Sequence, residues 1–298
     1  MISESFFLEH AARQRVVNVA SVPQRSPFRY PGGKTWLVPR IREWLASLPA
    51  RPNELIEPFA GGGIIGLTAA FERLAAHVTL VEKDEQVAAV WQAMIAQGDA
   101  ERLAERIERF EFSPEHVKDA LTTQGGSLVE RAFQTILRNR VNRGGIMAKG
   151  AGMLKQGENG KGMASRWYPR TLAQRIRAIH QARDRLAFIC GDGLDIITRF
   201  AERADAAFFI DPPYTAGNGK RAGSRLYTHS ELDHAALFAR MKTVNGAFLM
   251  TYDDNAEIRD MARQHGFAAT AVAMKNTHHA QMTELVISRD LSWLKGIA

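Results

Sequence analysis

A single cysteine, Cys190, stands in 298 residues. One thiol makes no internal disulfide and leaves no thiolate set for structural zinc, so nothing in the chain calls for an oxidising compartment. Long apolar runs are missing too. None approaches the ~18 residues of a membrane-spanning helix, and the N-terminus, MISESFFLEHAARQR, has neither a basic start nor an extended apolar core. The expected setting is cytoplasmic, with no membrane partner. Aromatic residues are only 8% of the chain, but 45% is hydrophobic and 24% charged, which excludes disorder as the default and fits one large domain or two small ones.

Acidic residues are scarce in one region. Lys and Arg total 39 against 32 Asp and Glu, for a net charge of +7. Between Arg131 and Leu186, thirteen Lys/Arg meet only Glu158 and Asp184. That local excess of eleven leaves the rest of the chain negative by four, so a polyanion is the expected partner and this stretch its expected place of contact.

Short runs rich in Val, Ile and Phe recur at Glu54–Glu57, His77–Glu82, Leu186–Cys190, Ala206–Ile210, Ala247–Thr251, Thr270–Met274 and Glu284–Ser288, and read as seven strands. Between them lie helical patterns, such as Asp84 to Gln97 with Val87, Val90, Trp91, Met94 and Ile95 on one face and Gly98 as a stop. Alternation of this kind predicts a mostly parallel sheet covered on both faces. The last two runs are joined by a short polar link, which predicts an antiparallel hairpin at the edge.

About a hundred residues separate the second run from the third, far more than one crossover helix needs. An inserted subdomain follows, with helical patterns at Glu101–Phe110, Pro114–Leu121 and Leu128–Arg138. Then comes Gly144 to Gly162, where seven of nineteen residues are glycine, interspersed with Lys149, Lys155 and Lys161. Such a stretch buries no core of its own, and reads either as a tolerated surface insertion or, given the charge, as a segment that orders on phosphates.

Four sites carry chemistry. In Asn53 to Leu67, NELIEPFAGGGIIGL, a strand runs into Phe59-x-Gly61-x-Gly63 and a helix, a turn where backbone can approach an anionic ligand. A dinucleotide fingerprint is not favoured, because the turn opens with Phe59 rather than glycine. The second strand ends in Val81-Glu82-Lys83-Asp84: Asp84 reads as a helix cap, leaving Glu82 as the ribose-type ligand. Arg29-Tyr30-Pro31-Gly32-Gly33-Lys34-Thr35 is no phosphate-binding P-loop, since Phe28 stands where its first glycine belongs. A Gly-Gly-Lys turn holding a carboxylate through N–H groups and one ammonium is the other reading, beside a plain turn.

The fourth, Ala206 to Tyr214, AAFFIDPPY, is the most specific. A buried strand delivers an acid, two rigid prolines and an aromatic to the carboxyl edge of the sheet. An amino group on a base has two N–H donors and a lone pair spread into the ring. Asp211 and the Pro212 carbonyl can accept both hydrogens, while Tyr214 stacks on the base. His278-His279, lacking a third ligand, reads as a turn rather than a metal site.

Taken in this order, FRYPGGK (28–34), EPFAGGG (57–63) and DPPY (211–214), with the basic insert between the last two, resemble the Dam-type (class D12) DNA adenine N6-methyltransferases from Pro27 onward. The resemblance implies a Rossmann-like α/β fold: a seven-stranded S-adenosylmethionine-dependent methyltransferase sheet with an inserted, mostly helical DNA-binding subdomain. Residues 1–26 would be an N-terminal arm, 27–100 and 171–298 the catalytic domain, and 101–170 the insert. By this resemblance Tyr30, Gly32, Gly33, Lys34, Phe59, Gly61, Gly63, Glu82, Asp192 and Asp211 would bind the cofactor, with Asp195 a rival to Asp192. Glu82 departs from the commoner Asp. Asp211, Pro212, Pro213 and Tyr214 would be the catalytic set, acting on N6 of a flipped adenine.

DNA contacts are expected from Arg138, Arg140, Asn142, Arg143, Lys149, Lys155, Lys161, Arg166, Lys220 and Arg221, with residues 215–225 as a lid. Asn139-Arg140 and Asn142-Arg143 resemble the family's Asn-Arg segment, but its later Phe-Asn element is absent. Double-stranded DNA is the implied partner, with a cognate restriction endonuclease left open and no metal. Cytosine N4, an RNA amino group and a catalytically inactive DNA-binding relative remain the alternatives.

Overall fold

The apolar runs Glu54–Glu57 (β1), His77–Glu82 (β2), Leu186–Cys190 (β3) and Ala206–Ile210 (β4) form strands over those residues. The computed structural model describes residues 21–30, 32–96, 98–148, 150–155, 157, 160–213, 232–275 and 281–296. Three strands follow, Ala247–Asp253 (β5), Ala268–Lys275 (β6) and Gln281–Ser288 (β7). Each outruns its apolar run, because ladder pairing continues past the buried residues, as far as Lys275 opposite Gln281.

All seven join one sheet in the order β3-β2-β1-β4-β5-β7-β6. The first five are parallel, and β7 runs antiparallel between β5 and β6, as the short link predicts. Every residue of β4 is buried, as a strand covered on both faces requires.

One face carries Val38–Ser47 (α1), Ile64–Glu72 (α2) and Glu85–Ile95 (α3), and the chain's insert packs onto α3. Its helices are Asp99–Glu108 (α4), Pro114–Thr122 (α5) and Leu128–Val141 (α6), followed by Pro169–Gln181 (α7). Asp84 caps α3 by accepting from Gln86 N (2.8 Å) and Val87 N (3.3 Å). Gly98, expected as that helix's stop, instead opens α4 at φ 87°, since α3 ends at Ile95. A continuous apolar core runs from Leu80, Trp91 and Met94 through Leu103 and Ile107 to Phe133, Ile136 and Ile176. The insert therefore shares the core of the sheet's helical layer. On the other face, Gly193–Phe200 (α8), His234–Thr243 (α9) and Ala256–Gln264 (α10) cover Ile56, Phe208, Ile210 and Met250.

The glycine-rich stretch is more built than its composition predicts. Asn142 bridges Met153, Arg143 N donates to Gly152 O (2.9 Å) and Leu154 N to Val141 O (2.8 Å), so the chain folds back on itself. Ala148 and Ser165 are buried. Among the described residues, no helix is long and apolar enough to cross a membrane, and no group of three His, Cys, Asp or Glu could hold a metal ion. Residues 1–20, Tyr214, the expected lid at 215–225, Lys149, Lys220, Arg221 and the His278-His279 pair lie outside the described residues.

Candidate active site

Strand order runs outward from β1 to β3 on one side and from β4 to β5 on the other, so the carboxyl ends of β1 and β4 border a crevice, where doubly wound sheets bind ligands. Both the glycine turn and the Asp-Pro-Pro segment end there.

Gly61 (φ 47°) and Gly63 (φ 62°) adopt the left-handed conformation that side chains resist. Space also demands glycine. A Cβ on Gly61 would stand 2.6 Å from the Tyr30 ring, and one on Gly63 would stand 2.7 Å from the Trp91 ring. Trp91 Nε1 donates to Gly61 O (3.0 Å), fixing the turn from beneath. Glu82 fixes it from the side: Oε2 accepts from Gly61 N (3.0 Å), and Oε1 from Lys83 N (2.8 Å) and Asp84 N (2.9 Å). Burial pushes the Glu82 carboxyl up, while these N–H groups oppose the shift.

Phe59 lies against the start of α8, where a Cβ on Gly193 would stand 2.8 Å from its ring. Asp192 caps that helix through Leu194 N (2.8 Å) and pairs with Lys83 Nζ (2.8 Å). Burial works against its charge, but Lys83 and the Leu194 N–H outweigh it and hold the carboxyl below its usual range. Phe59, Glu82 and Asp192 thus gather at one edge.

Across the crevice, Asp211 emerges from β4 and is partly exposed, with Pro212 and Pro213 behind it. Its Oδ1 accepts from Thr251 Oγ1 on β5 (2.9 Å) and lies 3.0 Å from Lys34 Nζ. Lys34 is 3% exposed, donates to Gly32 O (2.9 Å) and stands 3.4 Å from Glu284 Oε2. Lys34, expected at the cofactor, places its ammonium between Asp211, Glu284 and the carbonyl of its own turn. Gly33 gives its N–H to Tyr30 O (3.2 Å), closing the turn. Tyr30 covers Gly61 and Gly62.

Two of the residues expected to contact DNA lie inside the protein. Arg140 is 5% exposed and donates to Pro27 O, and burial with neighbouring Arg175, Arg29 and Arg166 lowers its pKa to about 9. Asn142 is buried and donates to Ile146 O (2.7 Å). Neighbouring Asn139, fully buried, accepts from Arg29 N (2.9 Å) and donates to Arg29 O (2.9 Å) and Gly145 O (2.7 Å). Arg175 donates to Ser26 O (2.9 Å). The Asn-Arg segment is a latch on residues 26–29, the approach to the Lys34 turn. Arg143, Lys155 and Lys161 are exposed; Arg138 and Arg166 are half-buried, Arg138 donating to Gln86 Oε1 (2.8 Å).

Sequence reasoning missed the roles of Glu57, Glu284 and Thr251, and placed Asn139 only within the Asn-Arg segment. For Glu284 the signal was an acid inside the apolar run TELVIS, and for Glu57 an acid ending a buried strand. Glu57 is 3% exposed; burial raises its carboxyl to about 8 despite the N–H of Gly66 (2.8 Å).

A family model described as D12 class N6 adenine-specific DNA methyltransferase matches residues 30–277. The chain belongs to that family. No curated protein matches it by sequence. Among solved structures it is similar to the rRNA methyltransferase aviRa from Streptomyces viridochromogenes, at 13% identity and TM-score 0.42 over 100% of this chain and 97% of that one. Another is TYW2 from Pyrococcus horikoshii, at 10% identity and TM-score 0.31 over 92% of this chain and 67% of that one.

This D12-class methyltransferase fold implies S-adenosylmethionine as methyl donor, and the residues present suit it. Gly61 and Gly63 keep side chains off the turn, Glu82 is a desolvated carboxylate suited to hydroxyl donors, and Phe59 with Asp192 offers an apolar face beside an amino-group acceptor.

Proposed function

We propose that this D12-class enzyme is a site-specific DNA methyltransferase that modifies the exocyclic N6 of an adenine flipped out of the duplex. One observation carries the reading. Asp211 is delivered by a wholly buried strand to the crevice, with its Oδ1 fixed by Lys34 and Thr251, so a carboxyl group is aimed at the place where a base would enter. S-adenosylmethionine, when bound, supplies an electrophilic methyl group.

The chain's own residues prepare the acceptor. Asp211 accepts one N–H of the amino group and the Pro212 carbonyl the other, which aims the nitrogen lone pair out of the base plane. Proline's fixed φ holds that carbonyl in place without a competing N–H. Tyr214 stacks on the base. Flipping an adenine costs a few kcal/mol, which phosphate contacts from Arg138, Arg143, Lys149, Lys155, Lys161, Arg166, Lys220 and Arg221 offset. A cytoplasmic setting and, as protein partner, a cognate restriction endonuclease suit such an enzyme.

The test is transfer of tritiated methyl from S-adenosylmethionine to unmethylated genomic DNA, with the modified base mapped by sequencing. Label should appear on adenine N6 in one sequence context and fall by at least about 10²-fold in Asp211→Ala, the scale seen when one stabilising group is removed from an active site. Label on cytosine N4 or on RNA alone would replace adenine as the substrate. Cofactor and DNA binding without transfer would make the chain a binding protein.

A further inference from the structure

Buried carboxylates in a strand are costly, and an apolar residue at the same place is commonly neutral or stabilising. Glu284 sits on β7 at 5% exposure, opposite Asp253 of β5 and Val272 of β6. Among the described residues its Oε2 has no hydrogen-bond donor, and the nearest charge is Lys34 Nζ at 3.4 Å. The same ammonium lies 3.0 Å from Asp211 Oδ1, so two ion pairs set three groups in a row from the crevice into the sheet.

We infer that Glu284 is the positioning residue at the inner end of a proton path, receiving through Lys34 the proton that Asp211 removes from the methylated amino nitrogen. This rests on the amino-methyl-transfer reading above. The acceptor nitrogen forms a bond to the methyl carbon, and the electron pair of the breaking S–CH3 bond stays on sulfur. As that bond forms, the surplus proton on the nitrogen leaves in the same step. That proton passes to a carboxylate oxygen of Asp211. Lys34 gives a proton from Nζ to Glu284 and takes the one on Asp211. The net result is one proton moved from nitrogen to Glu284, with Asp211 again an anion and Lys34 again an ammonium.

Burial holds the Glu284 carboxyl at about 7; Lys34 opposes this, while Asp211 and Asp253 add to it. Among the described residues these are the charged groups that reach Glu284, from the Lys34 turn, β4 and β5; β6 places the apolar Val272 opposite it. Glu284 is therefore able to take a proton near neutrality and to return it through Lys34 and Asp211 to the crevice between turnovers.

The experiment is single-turnover methyl transfer to DNA against pH, in the wild type and in Glu284→Gln and Glu284→Asp, with a carboxyl titration of the protein alone by 13C NMR on labelled glutamate. In the wild type the log rate should rise by about one unit per pH unit to about pH 7 and then level. Glu284→Gln should lose that limb and fall at least tenfold at pH 8, with the KM for DNA unchanged. Glu284→Asp, which keeps a carboxylate, should recover the limb. The titration should show one glutamate near 7 that is missing from either variant. A wild-type rate and pH limb in Glu284→Gln would overturn the inference alone, as would the absence of a glutamate titrating near 7 should that variant fail to fold. Wild-type protein that transfers methyl to no amino group would sink the functional reading, and the inference with it.

Discussion

On the β1–β2 side of the crevice a carboxylate is held by main-chain N–H groups, whereas on the β4–β5 side one is held by side chains. Glu82 accepts from Gly61, Lys83 and Asp84, and the turn it stabilises is packed between the Tyr30 and Trp91 rings. Asp211 is held by Lys34 and Thr251, with Glu284 behind. The first side is fixed by backbone shape, so it should break when a Cβ is added. The second is fixed by ionisable groups, so it should answer to pH. Glu57, at the end of β1, is where they meet: it accepts from Gly66 N on the glycine-turn helix and feels the charge of Asp211.

The largest effect expected outside catalysis is at Glu57. Its folded-state pKa, about 8, lies above the ordinary 4.5, so the folded protein binds a proton that the unfolded chain has released. Stability from this group is then full below about 4.5 and is lost as pH rises toward 8, at up to about 1.4 kcal/mol per pH unit. Glu57→Gln keeps an acceptor for Gly66 N but has no charge to bury. Urea unfolding at pH 5 and pH 8 should show the variant gaining on the wild type by roughly 2–4 kcal/mol between the two. A constant difference between the two proteins would mean that Glu57 is ionised in the fold.

Gly61→Ala sharpens the backbone side. The left-handed φ costs about 1–2 kcal/mol for a residue with a Cβ, and overpacking against the Tyr30 ring about 1–3 more. A loss near 3 kcal/mol is expected, along with at least tenfold weaker S-adenosylmethionine binding by calorimetry. In a Tyr30→Ala background the penalty should shrink to the φ component alone. An equal penalty in both backgrounds would show that the ring yields freely.

The sheet, its edge hairpin and the glycine turn were legible because each has a local cause: apolar runs for the strands, a short polar link for β6–β7, and glycines after β1. Asp84 was read as a cap because capping needs only neighbouring residues. Long-range pairing was not legible. No spacing tells that Lys34 meets Glu284, 250 residues away by its number, or that Asn139 clamps the main chain at Arg29. Composition also left the basic stretch unsorted, since charge counts do not say which cations face inward. Arg140, Arg175 and Arg185 bond to the carbonyls of Pro27, Ser26 and Ala70, and Arg177 pairs with Glu101 and Glu108.

That division of the basic stretch gives the smallest effect and a clean contrast. Arg143 is exposed and its side chain is available to a phosphate, whereas Arg140 is buried beneath the latch on Pro27. Each phosphate contact contributes about −0.9 to the slope of log affinity against log salt for duplex DNA. Arg143→Ala should make that slope shallower by about one and weaken binding severalfold at low salt, leaving the unfolding midpoint unchanged. Arg140→Ala should do the reverse, lowering the midpoint with the slope intact, because it leaves a buried carbonyl without its donor. Fluorescence anisotropy on a labelled duplex at several salt concentrations, beside thermal unfolding, reads both. If Arg140→Ala also flattened the salt slope, the latch would have to open on DNA, and the inward-facing arginines would count toward the interface after all.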